Sequence, residues 1–258
     1  MTHGTRMGAV LAAALTLAGG VSAEDKPAPA PATSDWTIVA APYLWVSGIE
    51  GQSGLFGIPV QNVDVSFGDV AENLDFAFMT VAEARKGPYS IGVDLSYARI
   101  GATIGAPVGI LATSIDAKIK TFMATAVGGY DVLPSDTANL DLVAGVRFWS
   151  VDNKFDFNGG ALGGTSASDG DTWVDPVIGV KFRSDISPNL YLAGWGLIGG
   201  SGGGSDSMWD VMAGVGYKKS DRMSFFAGYR ASSVDYSNAG FVYDVTQKGP
   251  IVGGVFRF

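Results

Sequence analysis

The chain ends in "GPIVGGVFRF", Gly249 to Phe258, with no polar tail after the last aromatic residue. Chain termini are usually polar and poorly ordered, and this one instead alternates like a strand. A strand here places two sets of side chains on opposite faces: Phe258, Phe256, Gly254 and Val252 on one, and Arg257, Val255, Gly253 and Ile251 on the other. An apolar face opposite one that carries an arginine is expected where one side of a sheet contacts lipid.

Similar alternation recurs from Trp36 onward, between segments rich in glycine, proline and aspartate. Strand-like stretches occupy residues 89–98, 140–149, 174–183, 209–217 and 223–229, among others. The connections alternate between short ones near residues 85, 133, 184 and 218 and longer ones at 48–73, 101–116, 151–170, 200–206 and 235–241. Alternating short and long connections are typical of an outer-membrane barrel, whose short turns face the periplasm.

The sequence therefore predicts an all-β, antiparallel up-and-down transmembrane β-barrel of about ten strands. Eight or twelve strands stay open as alternatives, because residues 56–65 form either a hairpin within a loop or a further pair of strands. An even number of strands leaves both termini on the periplasmic side. Closure requires the last strand to pair with the first, at residues 36–46, which fixes the end of the chain in the sheet.

Several stretches resemble a family of small proteobacterial outer-membrane β-barrels of the OmpA-like, porin-like superfamily. They are "VSFGDVAENLDFAFMTVAEARKG" at 65–87, "WVDPVIGVKFRSD" at 173–185, "GGSGGGSDSMW" at 199–209 and "GFVYDVTQKGPIVGGVFRF" at 240–258. The resemblance covers nearly all of residues 36–258 and implies an outer-membrane location. It also implies that Phe258 is the signal read by the barrel assembly machinery. It implies no active site.

The first 23 residues have the pattern of a cleaved signal peptide. Arg6 precedes a short apolar run at residues 8–18, and Val21-Ser22-Ala23 supplies small residues for cleavage. The run is shorter than the roughly 20 residues that a membrane-spanning helix needs. Residues 24–35, "EDKPAPAPATSD", then form a Pro/Ala-rich periplasmic spacer before the barrel at 36–258.

Composition excludes several functions. The chain has no cysteine, and its only histidine, His3, lies in the predicted signal peptide. Serine–histidine and cysteine–histidine catalysis and imidazole or thiolate metal sites are therefore excluded, and we expect neither an enzyme nor a cofactor. Without Arg6 the mature chain has 16 basic and 25 acidic residues, a net charge of −9, which makes nucleic acid an unsuitable partner.

Three weaker motifs have simpler interpretations. "GWGLIGG" at 194–200 contains G-x-G-x-x-G without a helical pattern after it, so we expect a strand that runs into a loop. The acidic residues of 151–171 favour a solvated loop over a cation site, because the spacing of a calcium-binding loop is missing. "SFGDVAENL" at 66–74 predicts a short capped helix, either constricting the barrel mouth or lying on its rim.

Charged residues on the predicted inner faces are the main candidate site. They are Glu83, Arg85, Asp94, Asp141, Arg147, Asp175, Lys181, Arg183, Asp210, Arg230 and Arg257. Such charges either line a narrow passage that selects solutes or form a network that fills the lumen. The first interpretation predicts a porin-like channel for passive passage of small polar solutes. The alternative is a structural or surface-interaction barrel, embedded in outer-membrane lipid and without a transport role.

Overall fold

The computed structural model of the protein describes residues 36–57, 59–105, 111–201 and 204–258. The predicted signal peptide and the predicted spacer lie outside the described residues. No helix in these ranges is long and apolar enough to cross a membrane.

The described chain consists almost entirely of antiparallel strands. In chain order the elements are β1 (Thr37–Trp45), β2 (Gly48–Gly54), β3 (Gln61–Val65), α1 (Phe67–Glu72), β4 (Leu74–Lys86), β5 (Tyr89–Gly105), β6 (Ser114–Asp131), β7 (Ala138–Asn158), β8 (Ser166–Asp185), β9 (Leu190–Gly200), β10 (Ser207–Ser220), β11 (Met223–Asn238) and β12 (Phe241–Arg257).

Ten of these strands close a barrel. The order runs from β1 through β4 to β12, and β12 returns to pair with β1. The closing register places Val39 opposite Arg257 and Tyr43 opposite Gly253, and the Phe258 amide donates to the Ile38 carbonyl at 2.9 Å. The predicted ten-strand barrel and its closure by the last strand are therefore confirmed. The remaining two strands, β2 and β3, form a hairpin that pairs with the upper part of β12 outside the closed ring.

The outer surface of the barrel carries a belt of exposed apolar side chains. Leu44, Phe78, Leu142 and Ile178, on four different strands, are each more than half exposed. A continuous exposed apolar surface of this kind is stable only against lipid. Aromatic pairs lie on the same surface, including Tyr89–Tyr130 beside the short turns and Phe122–Phe148 on the opposite side of the belt.

Several connections predicted to be long loops are strands instead. The strands β7 and β8 continue as far as Asn158 and Ser166, so the connection between them spans only residues 159–165. The connection between β11 and β12 is a two-residue turn at Ala239 and Gly240, with φ of 49° and 93°. Positive φ at both central residues suits a tight hairpin. These extensions project beyond the apolar belt, so their outer faces are polar and lack the alternation of apolar and polar residues that predicts a membrane strand.

The predicted helix is present as α1. Its N-cap Ser66 accepts from the Asp69 amide, while the Asp69 carboxylate accepts from the Ser66 amide, which completes a capping box. Only Val70 of the helix is buried. A helix so exposed lies on the rim, not inside the barrel as a constriction.

Candidate functional site: the barrel interior

All of the predicted lumen charges occupy inward-facing positions. The cross-strand register connects them: Glu83 is opposite Gly92, Asp94 opposite Thr125, and Arg147 opposite both Thr125 and Asp175. Because neighbours along a strand face opposite sides, the apolar belt occupies the intervening positions. The structure divides these inward charges among a buried middle layer, a cluster near the short turns and one isolated carboxylate.

The middle layer is built on Asp210 of β10. Its carboxylate accepts from Arg230 on the neighbouring strand, at 3.1 Å from Nε and 2.7 Å from Nη2, and from Arg147 Nη2 across the lumen at 2.7 Å. Arg230 also donates to Asp94 at 2.8 Å. Arg147, Asp210 and Arg230 each have a relative exposure of 0%. Buried charges require such mutual pairing, because an isolated charge in a medium of low polarity is very costly.

Aromatic side chains that were not among the predicted site residues complete this layer. The Arg230 guanidinium lies 4.7 Å from the Trp45 ring and 5.2 Å from the Trp195 ring. Tyr43 accepts from Arg230 at 2.8 Å and donates to Asp94 at 2.6 Å, and the Trp195 indole donates to Asp210 at 3.0 Å. The alternation of each strand places these aromatic side chains on the inner face, but they carry no charge and so were not predicted as site residues.

The extracellular half of the lumen is filled by apolar and aromatic groups. Trp173 and Tyr236 stack with their ring centroids 3.8 Å apart, and Trp149 lies on the other side of Trp173 at 5.8 Å. Asp175 belongs to this half. It accepts from the amide of Ser205 at 2.7 Å and from the hydroxyl of Ser205 at 2.8 Å, which holds Ser205 inside the barrel.

Above the belt, Asp171 joins β8 to β11. It accepts from the Tyr236 hydroxyl at 2.7 Å, from the Asn238 amide group at 2.8 Å and from the Thr172 backbone amide at 2.8 Å. Burial raises the pKa of Asp171, but these hydrogen bonds outweigh it and hold the pKa below its usual value. Burial and the bond to Asp171 raise the pKa of Tyr236 to about 12. This end of the sheet is therefore fixed by polar contacts as well as by stacking.

At the short-turn end the lumen widens into a cavity of about 730 Å³, here called the periplasmic cup. On one side, Glu83 bridges Arg85 and Lys181, and both cations also contact the buried carboxylate of Asp141. The floor is formed by Tyr43 and Trp195 of the middle layer, together with Met212, Phe226 and Ile251. Arg183 and Arg257 also line the cup.

The acidic stretch 151–171 does not gather into a cation site. Its residues lie on two strands, where Asp152 faces outward and exposed while Asn153 faces inward and buried. No cluster of three or more potential metal ligands of the His, Cys, Asp and Glu types occurs among the described residues. The G-x-G-x-x-G stretch forms the continuous strand β9, as predicted.

Comparison with solved structures identifies the fold. The outer membrane protease OmpT from Escherichia coli superposes with a TM-score of 0.55 at 11% identity, covering 89% of this chain and 99% of OmpT. The translocator domain of the autotransporter NalP from Neisseria meningitidis gives a TM-score of 0.47 at 16% identity, covering 86% and 88%. No family model matches the chain, and no curated protein matches it. The likeness to OmpT, together with the lipid-facing belt, confirms an outer-membrane β-barrel.

Proposed function

We propose that the protein is a closed outer-membrane barrel that acts through the part of its sheet outside the membrane, as a surface-interaction protein without a transport role. The observation that carries this proposal is the middle layer. Arg147, Asp210 and Arg230 are inaccessible to water, and they lie between the periplasmic cup and the aromatic packing above. A passage for solutes needs hydrated charges along its length, so the layer supports the lumen-filling alternative over the porin-like channel.

The extracellular extension supports the same proposal. The strands beyond the belt are joined by the stacking of Trp173 on Tyr236 and by the hydrogen bonds of Asp171. Connections at this end carry exposed apolar side chains: Leu111, between β5 and β6, is 63% exposed, and Phe56, between β2 and β3, is 44% exposed. A rigid scaffold that presents exposed apolar groups is suited to contact with another macromolecule. The proposal assigns no catalytic step to the chain.

Two further partners are part of this proposal. Outer-membrane lipid covers the apolar belt, and the barrel assembly machinery inserts the chain by reading its end at Phe258. Phe258 is 77% exposed on the outer surface, where such a reader has access to it.

Conductance of the purified full chain in planar bilayers tests the proposal. Folding is checked first by the faster gel migration of unboiled protein. We expect no stepwise current, and no swelling of liposomes in solutions of small sugars. Reproducible unitary steps from folded protein would overturn the proposal and restore the porin-like interpretation. Turnover of a lipid or peptide would overturn its non-catalytic part.

A further inference from the structure

We propose that the periplasmic cup binds a small organic anion that has an apolar or aromatic body. The cup opens at the end of the barrel that carries the short turns, which face the periplasm in this class of fold. Its volume of about 730 Å³ lies within the range of small-molecule sites, roughly 300–1,000 Å³. The middle layer closes its other end, so a ligand that enters from the periplasm stops at the floor.

The lining of the cup is divided by polarity. Small or apolar side chains from β1, β4 and β12, namely Val39, Ala41, Val81 and Val255, form one wall. The floor adds the aromatic rings of Tyr43 and Trp195. The facing strand β8 supplies the cations Lys181 and Arg183, while Arg85 on β4 and Arg257 on β12 lie nearer the rim than this apolar wall. A molecule with an apolar body and one acidic group matches this division, whereas a uniformly polar solute leaves the apolar wall without a partner.

Arg183 is the residue that we assign to the acidic group. Its guanidinium stacks 3.4 Å from the centroid of the Tyr191 ring, which fixes its plane and leaves its edge for a planar acid. Among the described residues its one carboxylate contact, to Asp185, is long at 3.5 Å, and Asp185 is bound more closely by Lys218 at 2.5 Å. Arg183 therefore retains donors for a ligand.

The position of the Tyr191 ring, on which Arg183 stacks, depends on a glycine in the adjacent strand. Tyr191 is 1% exposed, and its ring lies over Gly216 on the adjacent strand. A Cβ atom at position 216 would lie 1.9 Å from the ring atom Cζ of Tyr191. Only glycine at this position leaves room for the ring, and the ring in turn holds Arg183.

The charge around the cup also favours an anion. Arg222 and Arg257 line it and have no carboxylate within 4 Å among the residues that the structure describes. Asp136 and Asp221 lie in the turns at the rim and not in the interior. The other acids of the cup are already engaged: Glu83 and Asp141 each contact Arg85 and Lys181, Asp131 contacts Arg85, and Asp185 contacts Lys218.

Calorimetric titration of the full chain in nanodiscs of zwitterionic lipid tests the proposal. The probes are 2-naphthoate, 2-naphthyl phosphate and the neutral 2-naphthylmethanol, with empty nanodiscs as the blank. We expect saturable binding of one anion per barrel, at least tenfold tighter than the alcohol. The tighter of the two anions shows whether the acid is a carboxylate, as in a free organic acid, or a phosphate, as in a lipid headgroup.

Three variants locate the binding. Arg183→Gln should weaken anion binding at least tenfold, and Gly216→Ala should weaken it by displacing Tyr191, although it removes no ligand contact. Arg99→Gln, on the exposed outer wall, is the matched control and should bind like the unmodified chain. Equal binding by all variants, or heats equal to those of empty nanodiscs, would overturn the proposal. Conductance in planar bilayers would overturn the proposed function and leave this result unaffected, so the two failures are distinguishable.

Discussion

Replacing Asp210 by alanine should destabilise the barrel much more than the loss of a partly exposed charge. The carboxylate accepts four hydrogen bonds, two from Arg230 and one each from Arg147 and Trp195. Without it, Arg147 retains only Thr125 at 2.8 Å, and Arg230 retains Asp94 and Tyr43. Removing one partner of a buried ion pair costs about 3–5 kcal/mol, and we expect a value within this range because Arg147 loses its carboxylate partner and Arg230 loses one of two.

The matched control is Asp185→Ala. This carboxylate also contacts two cations, Arg183 and Lys218, but about a quarter of its side chain is exposed at the mouth of the cup. Ion pairs in contact with solvent contribute about 0–1 kcal/mol. Urea unfolding in lipid vesicles, followed by tryptophan fluorescence, measures both variants, and the slope with denaturant should stay constant.

A double variant separates the stranded charge from a general loss of packing. In Asp210→Ala the cost arises because Arg147 and Arg230 lose a counter-charge, so adding Arg147→Met should recover part of the lost free energy. If Asp210→Ala costs no more than Asp185→Ala, the middle layer is hydrated and the argument for a sealed lumen is refuted. If the double variant is less stable than the single one, the ion pairing is not the source of the effect.

Three further predictions concern the two faces of β8, the last residue of the chain and the hydrogen bonds of Asp171. Val180→Arg, on the lipid face near the bilayer centre, should lower the free energy of unfolding by about 2–4 kcal/mol, while Lys181→Gln, one residue away in the cup, should lower it by less than about 1 kcal/mol. The measurement is the folding yield of each variant in lipid vesicles. If Val180→Arg folds normally and Lys181→Gln does not, the assignment of the two faces is reversed. Deleting Phe258 should lower the fraction of barrel that assembles in cells, measured by heat-modifiable migration, and unchanged assembly would contradict its role as the assembly signal. Because the pKa of Asp171 is lowered in the folded protein, its carboxylate stabilises the fold at neutral pH and loses this effect as pH falls below about 4. The difference in urea midpoint between the unmodified chain and Asp171→Asn should therefore narrow from pH 7 to pH 3. A constant difference would contradict a stabilising role for the Asp171 carboxylate.

The membrane part of the barrel could be predicted because lipid imposes a strict pattern on each strand. Every second residue must be apolar there, so Val180 and Lys181 could be assigned to opposite faces from the sequence. The same criterion fails above the membrane. Asp152 and Lys154 face outward on the extension of β7, where water replaces lipid, so the stretch was predicted to be a loop although it forms strand.

The partners within the lumen could not be predicted, for a different reason. Alternation fixes which side chains point inward, but a contact across the barrel depends on the stagger between strands that are not neighbours. Arg147 and Asp210 are 63 residues apart on β7 and β10, and two strands lie between them. Inward placement was therefore readable from the sequence, and the buried network was not.

The middle layer lies between the extracellular sheet and the periplasmic cup, for which we propose separate roles. Because water does not reach Arg147, Asp210 or Arg230, a ligand held by Arg183 in the cup has no route past the floor. An open lumen would hydrate these charges and would not require Arg230 to lie between Trp45 and Trp195, whose rings supply favourable contact for a cation removed from water. The extracellular sheet and the periplasmic cup are consequently two surfaces on one scaffold, each in contact with its own compartment. A ligand that binds the cup should therefore stay exchangeable from the periplasmic side alone, whatever occupies the extracellular strands.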